Sequence, residues 1–345
     1  EKMAGQIVRL KASGRVAHVA TGRARHAVHT ARASGGARAA VSTGGRLARP
    51  RTVVAALAEG APADAQWADE GSTPEQGAVQ TRVVVITSGK GGVGKTTTSA
   101  NLGMSVARLG YRVALVDADI GLRNLDLLLG LENRVVYTGM EVLEGECRLE
   151  QALIRDKRWR NLALLSISKN RQRYNITRDN MKVLVDMLKE MGYQYVLVDC
   201  PAGIDIGFVN AIAPANEAVI VTTPEITAIR DADRVAGLLE ANNVYDIKLL
   251  VNRVRPDMIQ RNDMMSVKDV QEMLGVPLLG AIPEDTEVIV STNRGEPLVL
   301  KKKLTLSGIA FENAARRLVG KKDYLLDLDQ PQKGLLERVS DWFTG

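Results

Sequence analysis

The sequence predicts an α/β fold in which a doubly wound, mostly parallel sheet is followed by a C-terminal amphipathic helix. From Arg82 onward, short aliphatic and β-branched runs alternate with amphipathic segments, as expected for parallel strands joined by crossover helices. Several of these runs end in acidic, amide or turn residues, which line ligand sites at the carboxyl ends of parallel strands. Apolar residues at 45% and aromatic residues at 4% suit a core of Ala, Val and Leu.

The individual elements follow in chain order. The first strand begins at Arg82 and ends in a glycine-rich loop, and the next helix carries an apolar stripe that stops at Gly110. The further strands are predicted at 113–116, 162–165, 195–198, 218–221, 247–251 and 278–282. The helices between them include 178–191, 227–240 and 267–274.

Composition divides the chain into three parts. Residues 1–51 hold nine Arg and two Lys against one acidic residue, whereas residues 52–80 hold five acidic residues and no Lys or Arg. We interpret 1–80 as an organelle transit peptide with a linker, disordered in solution; a basic arm that binds nucleic acid is the alternative. The folded domain is predicted at 81–326, and its near-neutral charge does not indicate a nucleic-acid partner. A spacer and helix occupy 327–345.

Three absences from the sequence limit what the predicted domain can be. All three histidines precede residue 81, so no imidazole base is available there. Cys147 and Cys200 are far apart, which argues against a disulfide framework or a zinc site and fits a reducing compartment. No run of about 18 apolar residues occurs, so no transmembrane helix is predicted.

A phosphate-binding loop is the strongest motif. The spacing Gly89-x-x-x-x-Gly94-Lys95-Thr96 follows a predicted strand and opens a predicted helix. Backbone N–H groups of such a loop cradle phosphates, the lysine pairs with the β- and γ-phosphates, and the Thr96 hydroxyl is placed to bind Mg²⁺. A glycine-rich turn without a ligand is the alternative. The predicted loop contacts are Gly89, Lys90, Gly91, Gly92, Val93, Gly94, Lys95, Thr96 and Thr97.

Carboxylates at two other strand ends complete the predicted site. Asp199 follows the run 195–198 in the manner of a Walker B strand and is a candidate Mg²⁺ ligand, with a helix cap as the alternative. Asp117 and Asp119 flank one residue, so in an extended chain one carboxylate can face the nucleotide while the other holds the loop. A cap or turn pair is the alternative.

The form Lys90-Gly91-Gly92-Val93-Gly94-Lys95-Thr96-Thr97 resembles the deviant Walker A loop of the MinD/ParA family of ATPases, and 119–126 resembles its switch I. The resemblance implies that Lys90, otherwise a solvated surface lysine, reaches the nucleotide of a dimer partner. It also implies that Asp119 positions the attacking water and contributes to the metal site, with Asn124 nearby.

The base is predicted to be adenine. The strand end Asn252-Arg253-Val254-Arg255 lacks the aspartate with which GTPases pair the guanine amino group. The resemblance implies that Asn252 contacts adenine and that the backbone near Pro283 forms the other wall of the base site. A solvated turn is the alternative for both residues. The predicted cofactors are therefore ATP and Mg²⁺.

The last helix carries a single apolar stripe. Its members lie at i, i+1, i+4, i+7 and i+8, and they are Leu335, Leu336, Val339, Trp342 and Phe343. A terminal helix docked on the core is the alternative, but the polar spacer before it and the amphipathic targeting helix of similar family members favour a membrane role. Because basic and acidic residues cancel on its polar face, one copy should bind anionic lipid only weakly.

The resemblance implies a function as well as a fold. It predicts an ATPase that forms a homodimer around ATP, binds an anionic membrane surface as the dimer, and restricts placement of the FtsZ ring. A MinE-like activator would contact the helix beginning near 229–233, and FtsZ-ring regulators would be further partners. Together with the leader, the resemblance implies a location in the chloroplast stroma, peripheral on the inner envelope membrane. The alternatives are a ParA-type DNA-partitioning ATPase, a nucleotide-sensing adaptor with little turnover, and an iron–sulfur scaffold, which would need closely spaced cysteines.

Overall fold

The computed structural model describes residues 80–120, 124–168, 176–321 and 328. In these ranges eight strands form one sheet in the order β3-β4-β2-β5-β1-β6-β7-β8, and every pairing is parallel except β3 with β4. The strands are β1 Arg82–Thr87, β2 Val113–Asp117, β3 Ile154–Arg155, β4 Leu162–Ser166, β5 Tyr195–Asp199, β6 Glu217–Thr222, β7 Asp246–Val254 and β8 Leu278–Pro283. The predicted α/β class and mostly parallel sheet are confirmed.

Helices connect the strands and cover the sheet. They are α1 Lys95–Arg108, α2 Leu125–Leu129, α3 Gly139–Leu143, α4 Leu149–Ala152, α5 Arg178–Glu190, α6 Ile206–Ala211, α7 Ile226–Ala241, α8 Pro256–Gln260, α9 Val267–Leu274, α10 Thr286–Asn293 and α11 Leu306–Leu318. The predicted helices at 178–191, 227–240 and 267–274 correspond to α5, α7 and α9. No helix in the described part of the chain is both long enough and apolar enough to cross a membrane.

Strand β1 shows how both faces of the sheet are buried. Its side chains alternate, so Val84 and Ile86 pack on one face with α1 and α11, while Val83 and Val85 pack on the other with α5 and α7. This alternation explains the nearly continuous apolar runs, because each strand is covered on both sides. The order β5-β1-β6 places the loop after β1 at the centre of the carboxyl edge.

An ion-pair cluster fixes the opposite end of β1. The Arg82 guanidinium donates to both carboxylate oxygens of Glu217 on β6 and to the carbonyl oxygen of Leu318 at the end of α11. Lys248 on β7 approaches the same carboxylate at 3.3 Å. The half-buried pair raises the pKa of Arg82, so the guanidinium stays charged. Three neighbouring strands and a helix are thus tied together below the loop.

Two predicted segments lie outside the described residues. The leader and linker at 1–80 are described only at Gln80, and the terminal segment at 327–345 only at Leu328. The division into a leader, a domain and a targeting helix therefore stays a prediction, as do the roles assigned to the apolar stripe of the last helix.

Candidate nucleotide-binding site

The loop between β1 and α1 has the backbone that the glycine motif predicts. Gly94 precedes the first turn of α1 with a φ of 96°, a left-handed conformation that favours glycine. A Cβ on Gly94 would also collide with the Asn252 side chain, and one on Gly89 would collide with the backbone of Asp231 in α7. Glycine is thus required at both ends of the loop, because neighbouring elements touch its backbone.

Lys95 and Asp199 form a buried ion pair beneath the loop. Lys95 Nζ lies 3.9 Å from Asp199 Oδ1, which also accepts a hydrogen bond of 2.8 Å from Ser99 Oγ. Burial raises the pKa of the Asp199 carboxyl above its usual range. Lys95 and hydrogen bonds from Thr96 and Ser99 offset only part of this increase. The lysine and the carboxylate are held in place by α1 and β5 before any ligand arrives.

The same cluster fits a hydrated Mg²⁺ ion. Asp199 Oδ2 is buried and has no hydrogen-bond partner among the described residues, and Thr96 lies beside this carboxylate. Both are the oxygen donors that Mg²⁺ prefers, and the ion keeps several waters and phosphate oxygens as its remaining ligands. No group of three or more His, Cys, Asp and Glu side chains able to hold a metal occurs in the ranges described.

Asp117 and Asp119 have different surroundings. The Asp117 carboxylate accepts backbone hydrogen bonds from Asp119 at 3.1 Å and from Leu125 at 3.2 Å, so it holds the loop from inside. Burial and the neighbouring Asp199 raise the pKa of Asp117 to about 8. Asp119 instead lines the open cleft together with Asn124. Asp117 therefore acts on the structure of the loop, and Asp119 faces the cleft.

The cleft has a volume of about 710 Å³. Its lining includes most of the predicted contacts, namely Gly91, Gly92, Gly94, Lys95, Thr96, Thr97, Asp119 and Asn124. Val93 is instead packed in the core, and Asn252 Nδ2 donates to its carbonyl oxygen at 2.8 Å. The Pro283 carbonyl oxygen accepts from Ser307 Oγ at 2.9 Å. Asn252 and Pro283 thus each form a hydrogen bond within the protein, and their adenine contacts stay predictions.

Lys90 stands at the rim of the site. Its Nζ lies 3.1 Å from Glu225 Oε2 and 3.5 Å from Thr227 Oγ1, at the first turn of α7. The side chains of Lys90 and Glu225 are 44% and 56% exposed, so the pair is solvated. In this single chain Lys90 points to α7 and is available to solvent.

Several residues that the sequence did not single out also line the cleft. They are Ser88, Leu127, Leu128, Gly130, Glu132, Ala202, Arg253, Thr292, Asn293, Arg294 and Gly295. Arg253 lies near the end of β7, and the others come from loops and short helices after different strands, so no local spacing marks them. Their common signal is position, because all lie at or beyond the carboxyl end of a strand.

Comparison with known proteins gives the family. The model described as "ParA: NUBPL iron-transfer P-loop NTPase" matches residues 79–319. A septum site-determining protein MinD from Chlorella vulgaris is 79% identical over 264 residues, which cover 76% of this chain and 94% of that protein. This chain belongs to the MinD family. The chloroplastic MinD homologue of Arabidopsis thaliana is 64% identical over 251 residues, covering 71% of this chain and 77% of that protein.

Solved MinD structures share the fold. The MinD cell division protein of Aquifex aeolicus is 46% identical with a TM-score of 0.65, covering 71% of this chain and all of that one. MinD of Pyrococcus horikoshii, solved with Mg-ADP, is 31% identical with a TM-score of 0.62 and covers 69% of this chain and 96% of that one. The P-loop NTPase fold inferred from the loop is thus the fold of MinD proteins.

Proposed function

We propose that this MinD-type protein is a Mg-ATP-dependent, dimerising ATPase that binds a membrane reversibly and positions the division site by restricting FtsZ ring placement. The observation that carries the proposal is the buried Lys95–Asp199 pair beneath a glycine loop, with Thr96 beside it and an open cleft above. The Mg-ADP complex of the horikoshii relative supports a nucleotide and Mg²⁺ in this cleft.

Hydrolysis would depend on charge and positioning. The backbone of the loop and Lys95 would bind the β- and γ-phosphates, while Thr96 and Asp199 would hold Mg²⁺, which neutralises phosphate charge when bound. Asp119 faces the cleft and would orient the attacking water, with Asn124 beside it. Positioning and electrostatic stabilisation supply most of the acceleration in phosphoryl transfer, so the absence of histidine beyond residue 80 is no obstacle.

Dimerisation would use the carboxyl edge of the sheet. Lys90 is exposed there and would reach the partner's phosphates. Exposed isoleucines follow the strands on either side of β1: Ile204 and Ile206 after β5, and Ile226 after β6. An apolar rim around a charged cleft is suited to burial against a second copy. The nucleotide would then lie between the two subunits.

Partners would bind the dimer away from the phosphates. The Aquifex MinC:MinD complex supports a FtsZ-ring regulator as one partner. On α7, Arg230 and Asp233 are exposed, and the backbone of Asp231 lies against Gly89 of the loop, so a MinE-like activator contacting 229–233 could influence the nucleotide site. The chloroplastic Arabidopsis relative, together with the basic leader, supports a chloroplast location, and binding to a membrane there would place the protein on the stromal side of the inner envelope.

Membrane binding would follow the nucleotide state. One terminal helix should bind lipid weakly, but two copies on one dimer make the second insertion intramolecular and raise avidity by roughly 10²–10⁴. ATP would therefore recruit the protein to anionic vesicles, and hydrolysis would release it.

The test is sedimentation of the full chain with vesicles containing anionic lipid, with ATP or ADP, alongside a phosphate-release assay. We expect ATP-dependent sedimentation and turnover. Trp342→Glu places a charge in the apolar stripe and should abolish sedimentation while ATP affinity and dimerisation in solution stay unchanged. Loss of ATP binding in this variant would make the helix a docked core element. ATP binding without turnover would identify a nucleotide-sensing adaptor.

A further inference from the structure

We propose that Arg253 is a nucleotide-positioning residue whose guanidinium stacks on the purine base. This inference rests on the proposed ATP-binding function and adds to it the residue that holds the base end of the ligand. It starts from the backbone of Arg253, which nothing in the local sequence marks as unusual.

The backbone at Arg253 is strained. Its φ is 56°, in the left-handed region that non-glycine residues rarely adopt. Among the described residues, the other non-glycine residues with positive φ are Asn243 and Asn262, and asparagine tolerates this region far better than arginine does. The pairing register of β7 with β8 also shifts between Val251 and Val254, so the ladder between these two strands is irregular at Arg253. Such strain concentrates at functional sites.

The side chain of Arg253 has no structural use that would account for this strain. It is exposed and lines the cleft, and it makes no ion pair or hydrogen bond with any residue in the described ranges. Arg255, two residues on, behaves in the ordinary way: it pairs with Asp257 at 3.0 Å and approaches Glu284 at 3.7 Å. The strained conformation therefore presents an uncommitted guanidinium to the ligand cleft.

The position of Arg253 favours the base over the phosphates. Asp199 on β5 and Asp119 after β2 mark the metal and hydrolysis side of β1, whereas β7 lies two strands away on the other side. At the usual strand spacing this separates β7 from β1 by about 10 Å. A nucleotide whose terminal phosphate lies toward Asp119 would direct its base toward Arg253, which lines the same cleft from β7.

The chemistry of arginine suits this position. A planar guanidinium stacks on aromatic faces, and it does so without reading the edge of the base. Arg253 would therefore hold purines in general, and it would not by itself separate adenine from guanine. Asn252, its neighbour, already bonds the loop carbonyl of Val93, so the base contact and the loop anchor come from adjacent residues.

The experiment measures binding to the full chain, with Mg²⁺ present, by competition against fluorescent ADP. Arg253→Met should weaken ATP and ADP binding by the same factor, about tenfold. Tripolyphosphate, which has no base, should compete equally well against wild type and variant. Arg253→Lys keeps the charge but loses the plane, and it should be as weak as Arg253→Met. The control Arg255→Met should bind like wild type.

Three results would overturn the proposal: unchanged ATP affinity in Arg253→Met, an equal loss for tripolyphosphate, or full affinity in Arg253→Lys. The second and third would indicate a phosphate contact instead. A wild-type chain that fails to bind Mg-ATP would overturn the proposed function, which is a separate outcome. Thermal melting without nucleotide checks folding. Arg253→Met and Arg253→Lys should both melt at the wild-type temperature, because the Arg253 side chain has no partner among the described residues.

Discussion

Replacing Lys90 with alanine should separate dimerisation from nucleotide binding. In the single chain Lys90 forms one ion pair, 3.1 Å from Glu225, and both side chains are about half exposed. Exposed pairs of this kind contribute about 0.2–1 kcal/mol to the free energy of unfolding. For a domain of this size the loss would lower the melting temperature by at most about 4 °C. The monomer should therefore fold and bind ATP almost as wild type does.

The dimer should respond very differently. If Lys90 reaches the partner's phosphates, its removal leaves charge at a buried interface unneutralised, which costs about 2–5 kcal/mol per contact. Each dimer would contain two such contacts. The measurement is light scattering after size exclusion in the presence of ATP, with both proteins carrying a second substitution that impairs hydrolysis. The protein with Lys90→Ala should then elute as a monomer, and the protein that keeps Lys90 should elute as a dimer.

Lys268 provides a matched control. It forms an exposed ion pair with Glu272 at 3.6 Å on α9, far along the chain from the loop. Lys268→Ala removes an exposed ion pair of the same kind, so it should lower the melting temperature no more than Lys90→Ala does and should leave the dimer intact. A normal ATP-dependent dimer in Lys90→Ala would refute the cross-interface role, and a large loss of monomer stability would show that the pair with Glu225 matters more than its exposure indicates.

The remaining predictions concern separate parts of the chain. Asn252→Ala leaves the buried Val93 carbonyl without its donor, so calorimetry should show a loss of about 1–3 kcal/mol in the free energy of unfolding; an unchanged melting temperature would contradict this. The pKa of Asp117, raised to about 8, makes the folded state bind a proton that the unfolded chain releases above about 4. In denaturant titrations without Mg²⁺, the stability of wild type relative to Asp117→Asn should fall as pH rises from about 4 to 8; a flat difference would rule this out. Ile206, 69% exposed, should tolerate glutamate in the monomer but not in the dimer, as light scattering would show. A fluorescent fusion lacking 1–80 should stay outside plastids, and its import would disprove the transit role.

Most of the sheet could be predicted from the sequence because its signals are local. Each predicted strand is present. A short run of β-branched and aliphatic residues between turn residues is typical of a parallel strand that is buried on both faces of the sheet. The edge strand Ile154–Arg155 was not predicted. It is two residues long and antiparallel, and so short a strand has no periodicity to detect.

The phosphate loop was equally accessible to the sequence. Gly94 needs its left-handed backbone, Lys95 needs to follow it, and Asp199 needs to end a strand; each requirement acts within a few residues. Phosphate and metal binding of this kind depends on residue types at fixed spacings, so candidate nucleotide and metal ligands could be predicted before any coordinates.

Only the tertiary structure decided which distant residues meet at that loop. Lys90 and Glu225 are 135 positions apart, and their contact depends on β1 and β6 being neighbours. Arg253 lines the cleft where the register of β7 with β8 shifts and its own backbone is left-handed, which no local pattern signals. The sequence alone determined the elements and the phosphate chemistry, because those depend on near neighbours. The place of Arg253 in the cleft and the contact of Lys90 with Glu225 depend on the sheet order, which packing of the domain selects.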